Sequence, residues 1–391
     1  MVFVGFSCSR LIISLGVIGL IITGLLTADI RQTLTTYFRR PAFYINTLFF
    51  LVILLSGINS ADRGQWLSFL RIKIPFLILP VAFCGYTFFD RAFFNKLLFA
   101  FAFCMFISAI GVMVNYGFHY EEINIRISSG GVIPVPFSHI RYTLMLVFAF
   151  FCLLWLWEQY MVARRHLLLI PALLLFVVIH VLSSRSAWLA LYAGLLFYFA
   201  VYIYRSRKYF IGVLLLSALI GLPFLSYQLI PSFHKKINYM KYTAGQYKEG
   251  HLDDMGDAMR LSSWQVGIEI IRRHPWSGTG VGDLLKESKA VSHELFPSIK
   301  NDDDRKMPHN EFIWIWAATG FFGFLAYCVA FFYPLLSHLL RKNWLFIMLY
   351  VIFFSSFLTE PSIEEQIGST FYLVFLLIFL AHFSYHETAH E

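Results

Sequence analysis

Apolar runs alternate with short polar breaks along most of the chain, near 11–26, 42–56, 74–89, 93–116, 140–157, 167–182, 188–204, 210–230, 312–336, 344–358 and 368–385. Each is close to the length a helix needs to cross the ~30 Å hydrocarbon core of a bilayer. The pattern predicts an all-α polytopic membrane protein with about 11–12 transmembrane helices. One stretch breaks it: 231–308 is polar and almost eighty residues long, and loops of that length usually carry structure or function. Within it, Leu261, Trp264, Ile268 and Ile271 recur at helical spacing, which predicts an amphipathic helix from Asp257 to Arg273. His274-Pro275 stops it, because proline cannot continue a helix. The expected division is therefore 1–230 (about eight spans), a large polar loop over 231–308, and 309–391 (about three spans).

Composition agrees with the pattern. The 391 residues are 58% hydrophobic and 19% aromatic but only 14% charged, which excludes a water-soluble domain and intrinsic disorder. The five cysteines stand far apart in apolar stretches without metal-ligand spacing, so they read as buried thiols. Cys8 has no basic segment before it, so neither a lipoprotein site nor a cleaved signal peptide is expected, and the first run stays as a membrane helix.

The net charge of +8 would suggest nucleic acid in a soluble protein. Here it reads as loop charge that sets topology. Arg39/Arg40, Arg91/Lys96, Arg164/Arg165, Arg205/Arg207/Lys208 and Arg341/Lys342 fall between alternate pairs of spans, and are placed inside by their Lys/Arg excess. The segment 60–73, with Arg63, Arg71 and Lys73, then falls outside against the rule. So do 115–139, 183–187, the large loop and 359–367. The C-terminus is expected inside and the N-terminus outside.

The outer side holds the candidate chemistry. Arg185, in Ser-Ser-Arg-Ser-Ala-Trp, joins two spans through almost no loop and sits at the interface. It reads either as a snorkelling residue, with Trp188 in the aromatic belt, or as a functional cation. A guanidinium fork suits phosphate or diphosphate. Arg260 heads the polar side of the amphipathic helix, and Arg272/Arg273 end it, where cations complement the helix dipole. Gly278-Thr-Gly280-Val-Gly282 is glycine-rich, but no strand precedes it and no GK[ST] follows, so it reads as a tight turn and no nucleotide is expected. The acidic runs at Asp302–Asp304 and at Asp253, Asp254 and Asp257 lack EF-hand spacing and read as solvated charge, so no metal is expected. In Pro308-His309-Asn310-Glu311, His309 stands at the start of a span. It reads as an interfacial cap or as a base kept neutral by the positive helix end. Gly320 and Gly323 below it invite close approach of another helix.

Together these residues resemble the O-antigen ligase/O-antigen polymerase superfamily. The ligase motif is His, then Asn/Ser/Gln, nine residues, and Gly-x-x-Gly/Thr/Tyr; the chain reads His309-Asn310, nine residues, then Gly320-Phe-Phe-Gly323. Arg260-Leu-x-x-Trp264 through His274-Pro275 to Gly282 is similar to the family's outer-loop signature, and Arg185 to its helix-end arginine. The stretch from Gly57 to Arg63 is also similar. The resemblance implies glycan transfer from undecaprenyl diphosphate to an acceptor hydroxyl, such as that of lipid A-core, on the periplasmic face of the bacterial inner membrane. It implies no nucleotide, metal or other cofactor, and inversion at the anomeric carbon. His309 is then the general base, worth about 10²–10⁴-fold, and Arg185 and Arg260 hold the leaving diphosphate. Asn310, His139, Arg141 and Glu364 are further substrate-binding candidates. Arg126 lies nearby, and Glu360, Glu364 and Glu365 are placed to orient His309 or a sugar. A polymerase or a protein O-oligosaccharyltransferase shares this scaffold. A transporter would instead put polar residues near the bilayer midplane.

Overall fold

The computed structural model describes residues 1–86, 88–159, 166–248, 256–299 and 301–388. Arg164, Arg165, Asp253 and Asp254 lie outside them. The described residues are helical without a strand. In chain order the helices are α1 (Val2–Cys8), α2 (Arg10–Thr27), α3 (Ile30–Arg39), α4 (Thr47–Ser56), α5 (Arg63–Cys84), α6 (Arg91–Phe118), α7 (Tyr120–Ser128), α8 (His139–Gln159) and α9 (Leu169–Leu182). They continue with α10 (Arg185–Ser206), α11 (Tyr209–Leu229), α12 (Pro231–Lys248), α13 (Gly256–Arg273), α14 (Leu284–Leu295), α15 (Glu311–Phe332), α16 (Trp344–Phe357) and α17 (Gln366–Thr388).

Each apolar run of the sequence coincides with a helix, and among the described residues eight helices are long and apolar enough to cross a membrane. The run at 42–56 is different: 30–39 and 41–56 form a pair bent by 91°. The helices α9 and α16 have 14 residues each, about 21 Å at 1.5 Å per residue, shorter than the hydrocarbon core. The chain is a multi-pass membrane protein. The first helix folds back along the second: a Cβ on Gly5 would meet Ile13, and one on Gly16 would meet Val2.

Lipid is as apolar as leucine, so these helices associate through close packing rather than through the hydrophobic effect. Phenylalanines supply the contact. Phe371 and Phe375 of α17 pack with Phe101 of α6 and Phe148 of α8, and α8 and α17 are the most enclosed spans. By contrast α11 presents most of its surface outward, Phe210, Ile220 and Phe224 being largely exposed.

Two elements depart from the sequence reading. The helix α5 begins at Arg63 rather than near Ile74, because the Asp62 carboxylate accepts from Gln65 N at 2.9 Å and caps it. Lys73 is therefore not a loop charge but a fully buried residue of a membrane helix. The polar stretch 231–308 contains α12 and α14 besides the expected amphipathic helix. Phe233, Ile237 and Met240 give α12 an apolar stripe at 3–4 residue spacing.

Candidate active site

The site is built where α13 and the start of α15 meet the loop 358–365. Asn310 caps α15: its Oδ1 accepts from Phe312 N at 3.0 Å and Ile313 N at 3.1 Å, while its Nδ2 donates to Leu358 O at 3.2 Å. His309 precedes the cap and is fixed from α13, whose Ser263 Oγ accepts from His309 N at 3.1 Å and whose Trp264 Nε1 donates to His309 O at 2.8 Å. The imidazole Nδ1 then lies 3.0 Å from Glu360 Oε2. The other Glu360 oxygen accepts from Arg260 Nη2 at 2.6 Å.

Burial alone would push the Glu360 carboxyl up. The His309 hydrogen bond and charge, then Arg260 and Arg141, outweigh it and hold the group below its ordinary range. Glu360 is thus a carboxylate that orients the histidine and neutralises one arginine. Among the described residues, His309 Nε2 has no hydrogen-bond partner.

Arg185 starts α10 after a sharp turn in which Ser183 takes a left-handed conformation, φ 56°. Arg260 and Glu360 lie within electrostatic reach of it. Thr359 donates to Ser186 Oγ at 2.8 Å and ties the Glu360 loop to this helix end.

A third cation, missed in the sequence, joins them. Ser232 donates to Val181 O at 2.7 Å, and Phe233 packs at a tilt against Trp188 with ring centroids 4.2 Å apart, so the start of α12 is clamped beside Arg185. This buries Lys236 to 6% exposure. Its Nζ donates to Gly130 O at 3.2 Å and lies over the Tyr239 ring. Burial, then Arg185 and Arg260, push the Lys236 ammonium down to about 8. Among the described residues, Arg185, Arg260 and Lys236 lie within electrostatic reach of one another with the Glu360 carboxylate beside Arg185 and Arg260, a balance of charge that favours an anion.

Other candidates occupy different positions. His139 lies within reach of Lys236 and the Leu182 backbone. Arg141 is 7% exposed and spends its donors on Pro361 O at 2.8 Å, Ser362 O at 3.2 Å and Glu365 at 3.0 Å. Glu364 is buried against Lys73, at 2.7 Å. Arg126 pairs with Glu122 on an exposed helix face. Arg273 is held by Glu294 and Glu269, and Arg272 by Glu269. Asp302 pairs with His293 and Arg305.

The glycine-rich stretches meet each other. The long helix α15 breaks at Gly320, with φ 71° and ψ −176°. The break frees two carbonyls: Thr279 N donates to Ala317 O at 3.0 Å and Gly280 N to Ala318 O at 2.9 Å. In return Phe321 N donates to Pro275 O at 2.9 Å. A Cβ on Gly320 would stand 2.1 Å from Trp276 O, and one on Gly278 2.5 Å from Ala318. What approaches Gly320 is therefore the loop after α13, not another helix. The segment from Gly57 to Arg63 closes on the same loop, with Asp283 accepting from Asp62 N at 3.1 Å and Asn59 donating to Ser277 O at 3.1 Å.

The chain matches no curated protein. Residues 170–328 match the family model described as O-antigen ligase. That segment carries Arg185, Lys236, Arg260, His309 and both glycine stretches, and over it this multi-pass membrane protein is similar to the O-antigen ligase family.

Proposed function

We propose that the protein transfers a glycan from undecaprenyl diphosphate to an acceptor hydroxyl, that of lipid A-core, at the periplasmic face of the bacterial inner membrane. The observation that carries this reading is the His309–Glu360–Arg260 chain of contacts, 3.0 and 2.6 Å long, beside Arg185 and Lys236. A base oriented by a carboxylate and a cluster of cations are the two things such a transfer requires.

His309 Nε2 takes the proton of the acceptor hydroxyl while Glu360 holds the ring at Nδ1 and stabilises the imidazolium. The acceptor oxygen bonds to the anomeric carbon as the bond from that carbon to the diphosphate oxygen breaks. Attack opposite the leaving group inverts the centre. The electron pair leaves with the diphosphate, whose growing negative charge is met by Arg185, Arg260 and Lys236. On this reading 231–308 is the part of the chain that brings Arg260 and Lys236 over the helices of 1–230 and 309–391. No nucleotide, nucleic acid or metal takes part. His139 lines the approach to the cations, while Arg141, Asn310 and Glu364 serve the site by holding its loop.

The test is complementation of two bacterial strains, one lacking its O-antigen ligase and one lacking its O-antigen polymerase, each also with His309→Ala. Capping of lipid A-core restored only in the first strain, and lost with His309→Ala, is the expected result. Long chains restored only in the second would replace the ligase reading with a polymerase one.

A further inference from the structure

The loop 358–365 presents Glu360 without being part of a helix, yet its carbonyls are taken up from several sides. Asn310, the cap of α15, holds Leu358 O, and Arg141 of α8 holds Pro361 O and Ser362 O. Lys73 of α5 donates to Ile363 O and to Glu364 Oε1, both at 2.7 Å. Glu311 accepts from Ile363 N at 3.2 Å with one oxygen and from Tyr327 OH at 2.6 Å with the other. Both backbone groups of Ile363 are thus fixed by buried polar side chains. Lys73 and Glu311 are each at 0% exposure, and Glu311, Glu364 and Lys73 are close enough to interact as one group.

A buried ion pair adds little net stability over well-packed apolar residues, and a charge inside a membrane helix is costly. Stability alone therefore does not account for Lys73. Its directional bonds do something an apolar side chain cannot: they set the position of a backbone segment three residues from Glu360.

We propose that Lys73 is a positioning residue for glycan transfer, clamping Ile363 and Glu364 so that the loop holds the Glu360 carboxylate between His309 and Arg260. The proposal rests on the reading of His309 and Glu360 given above, but its test does not depend on turnover.

Glu360 is faced by His309 at the start of α15, Arg260 of α13, Arg141 of α8 and Arg185 of α10. Its titration therefore reports how closely the loop is held against them. The experiment uses the full chain in detergent, with 13C-labelled glutamate carboxyls and the Glu360 signal identified by its loss in Glu360→Gln. Lys73→Met alone strands its buried ion-pair partner Glu364, so the deciding variant is the charge-balanced Lys73→Met/Glu364→Gln. In it the Glu360 titration is expected to rise toward the ordinary carboxylate range. The initial rate of transfer from an undecaprenyl-diphosphate-linked disaccharide is expected to fall about 10²-fold, the usual cost of a misplacement near 1 Å. A folded double variant whose Glu360 titrates as in the wild type overturns the proposal, whatever its rate. A shifted titration with full transfer supports the clamp and counts instead against Glu360 as the partner of the base.

Discussion

Glu360 Oε2 lies 3.0 Å from the Nδ1 of His309, although 51 residues separate them in the chain. The same carboxylate accepts from Arg260. One group therefore links the candidate base to the candidate diphosphate site, and its removal is expected to affect both. His309→Ala should lower the rate by about 10²–10⁴-fold, the range of a positioned general base. Glu360→Gln removes a charge-assisted bond and should cost roughly 10–100-fold. The carboxylate also supplies pH-dependent stability. Its folded pKa is held below the unfolded one by His309, Arg260 and Arg141 against the effect of burial, so this stability is present above the unfolded carboxylate pKa and lost as pH falls through the lower folded value. Melting curves of wild type and Glu360→Gln in detergent, from pH 7 down to pH 3, should converge at the acid end. Curves that stay parallel would show that Glu360 is not held as a carboxylate.

Lys236 is expected to behave in the opposite sense. Its ammonium is pushed down to about 8 by burial and by Arg185 and Arg260, so carrying the proton at neutral pH works against the empty fold. The sign follows from linkage: stability from a depressed folded pKa is present above the unfolded value and lost as pH falls through about 8. Lys236→Met should therefore raise the melting temperature of the substrate-free protein at pH 7, with the gain fading as pH rises past that value. The same change should raise the KM for the lipid-diphosphate donor by about 10–100-fold, the worth of one hydrogen bond to a charged group. Wild-type donor KM should climb above pH 8. A variant no more stable at pH 7 and unchanged in KM would remove Lys236 from the anion site.

Asn310 separates capping from sugar binding. Its Oδ1 caps α15 and its Nδ2 holds Leu358 O, so both ends of the amide are used within the protein. Asn310→Ala should cost about 1 kcal/mol as a lost cap and loosen the Glu360 loop as well. Asn310→Asp keeps the cap but loses the donor to Leu358 O, so it should retain the helix start while releasing the loop. Thermal melts of the two variants decide the matter: equal losses would show that the cap carries nothing.

What is legible in the sequence follows from how local each signal is. His309 and Arg185 stand out because each is a polar residue at the edge of an apolar run, where the bilayer boundary itself marks the position. The amphipathic helix is visible because its apolar stripe is periodic, and its observed span, Gly256–Arg273, differs from the expected one by a single residue. Lys236 has no such signal: it lies among Lys235, Tyr239 and Lys241, and its meaning comes from Gly130, 106 residues away. Lys73 is misleading because hydropathy starts the span at Ile74, while the helix is already capped at Asp62. A buried ion pair with a partner 291 residues distant leaves no local pattern. The short α9 and α16, by contrast, follow apolar runs that are themselves short, 167–182 and 344–358.

Gly320 provides the sharpest test of how the glycine motif works. At φ 71° any other L residue is strained, by about 1–3 kcal/mol. A Cβ there would also stand 2.1 Å from Trp276 O, which is backbone and cannot swing aside. Gly320→Ala must therefore either straighten α15 or push the 275–280 loop off it, and either change breaks the bonds to Ala317 O, Ala318 O and Pro275 O. Because that loop follows α13 directly, the displacement should reach Arg260 and the Ser263 and Trp264 contacts to His309. The expected outcome is a lowered melting temperature together with loss of transfer. Gly221→Ala, in the middle of α11 with open space around it, is the matched control and should melt at or slightly above the wild-type temperature, since alanine favours a helix by about 1 kcal/mol over glycine. A Gly320→Ala protein as stable and active as that control would mean that the break in α15 is not needed to hold the site together.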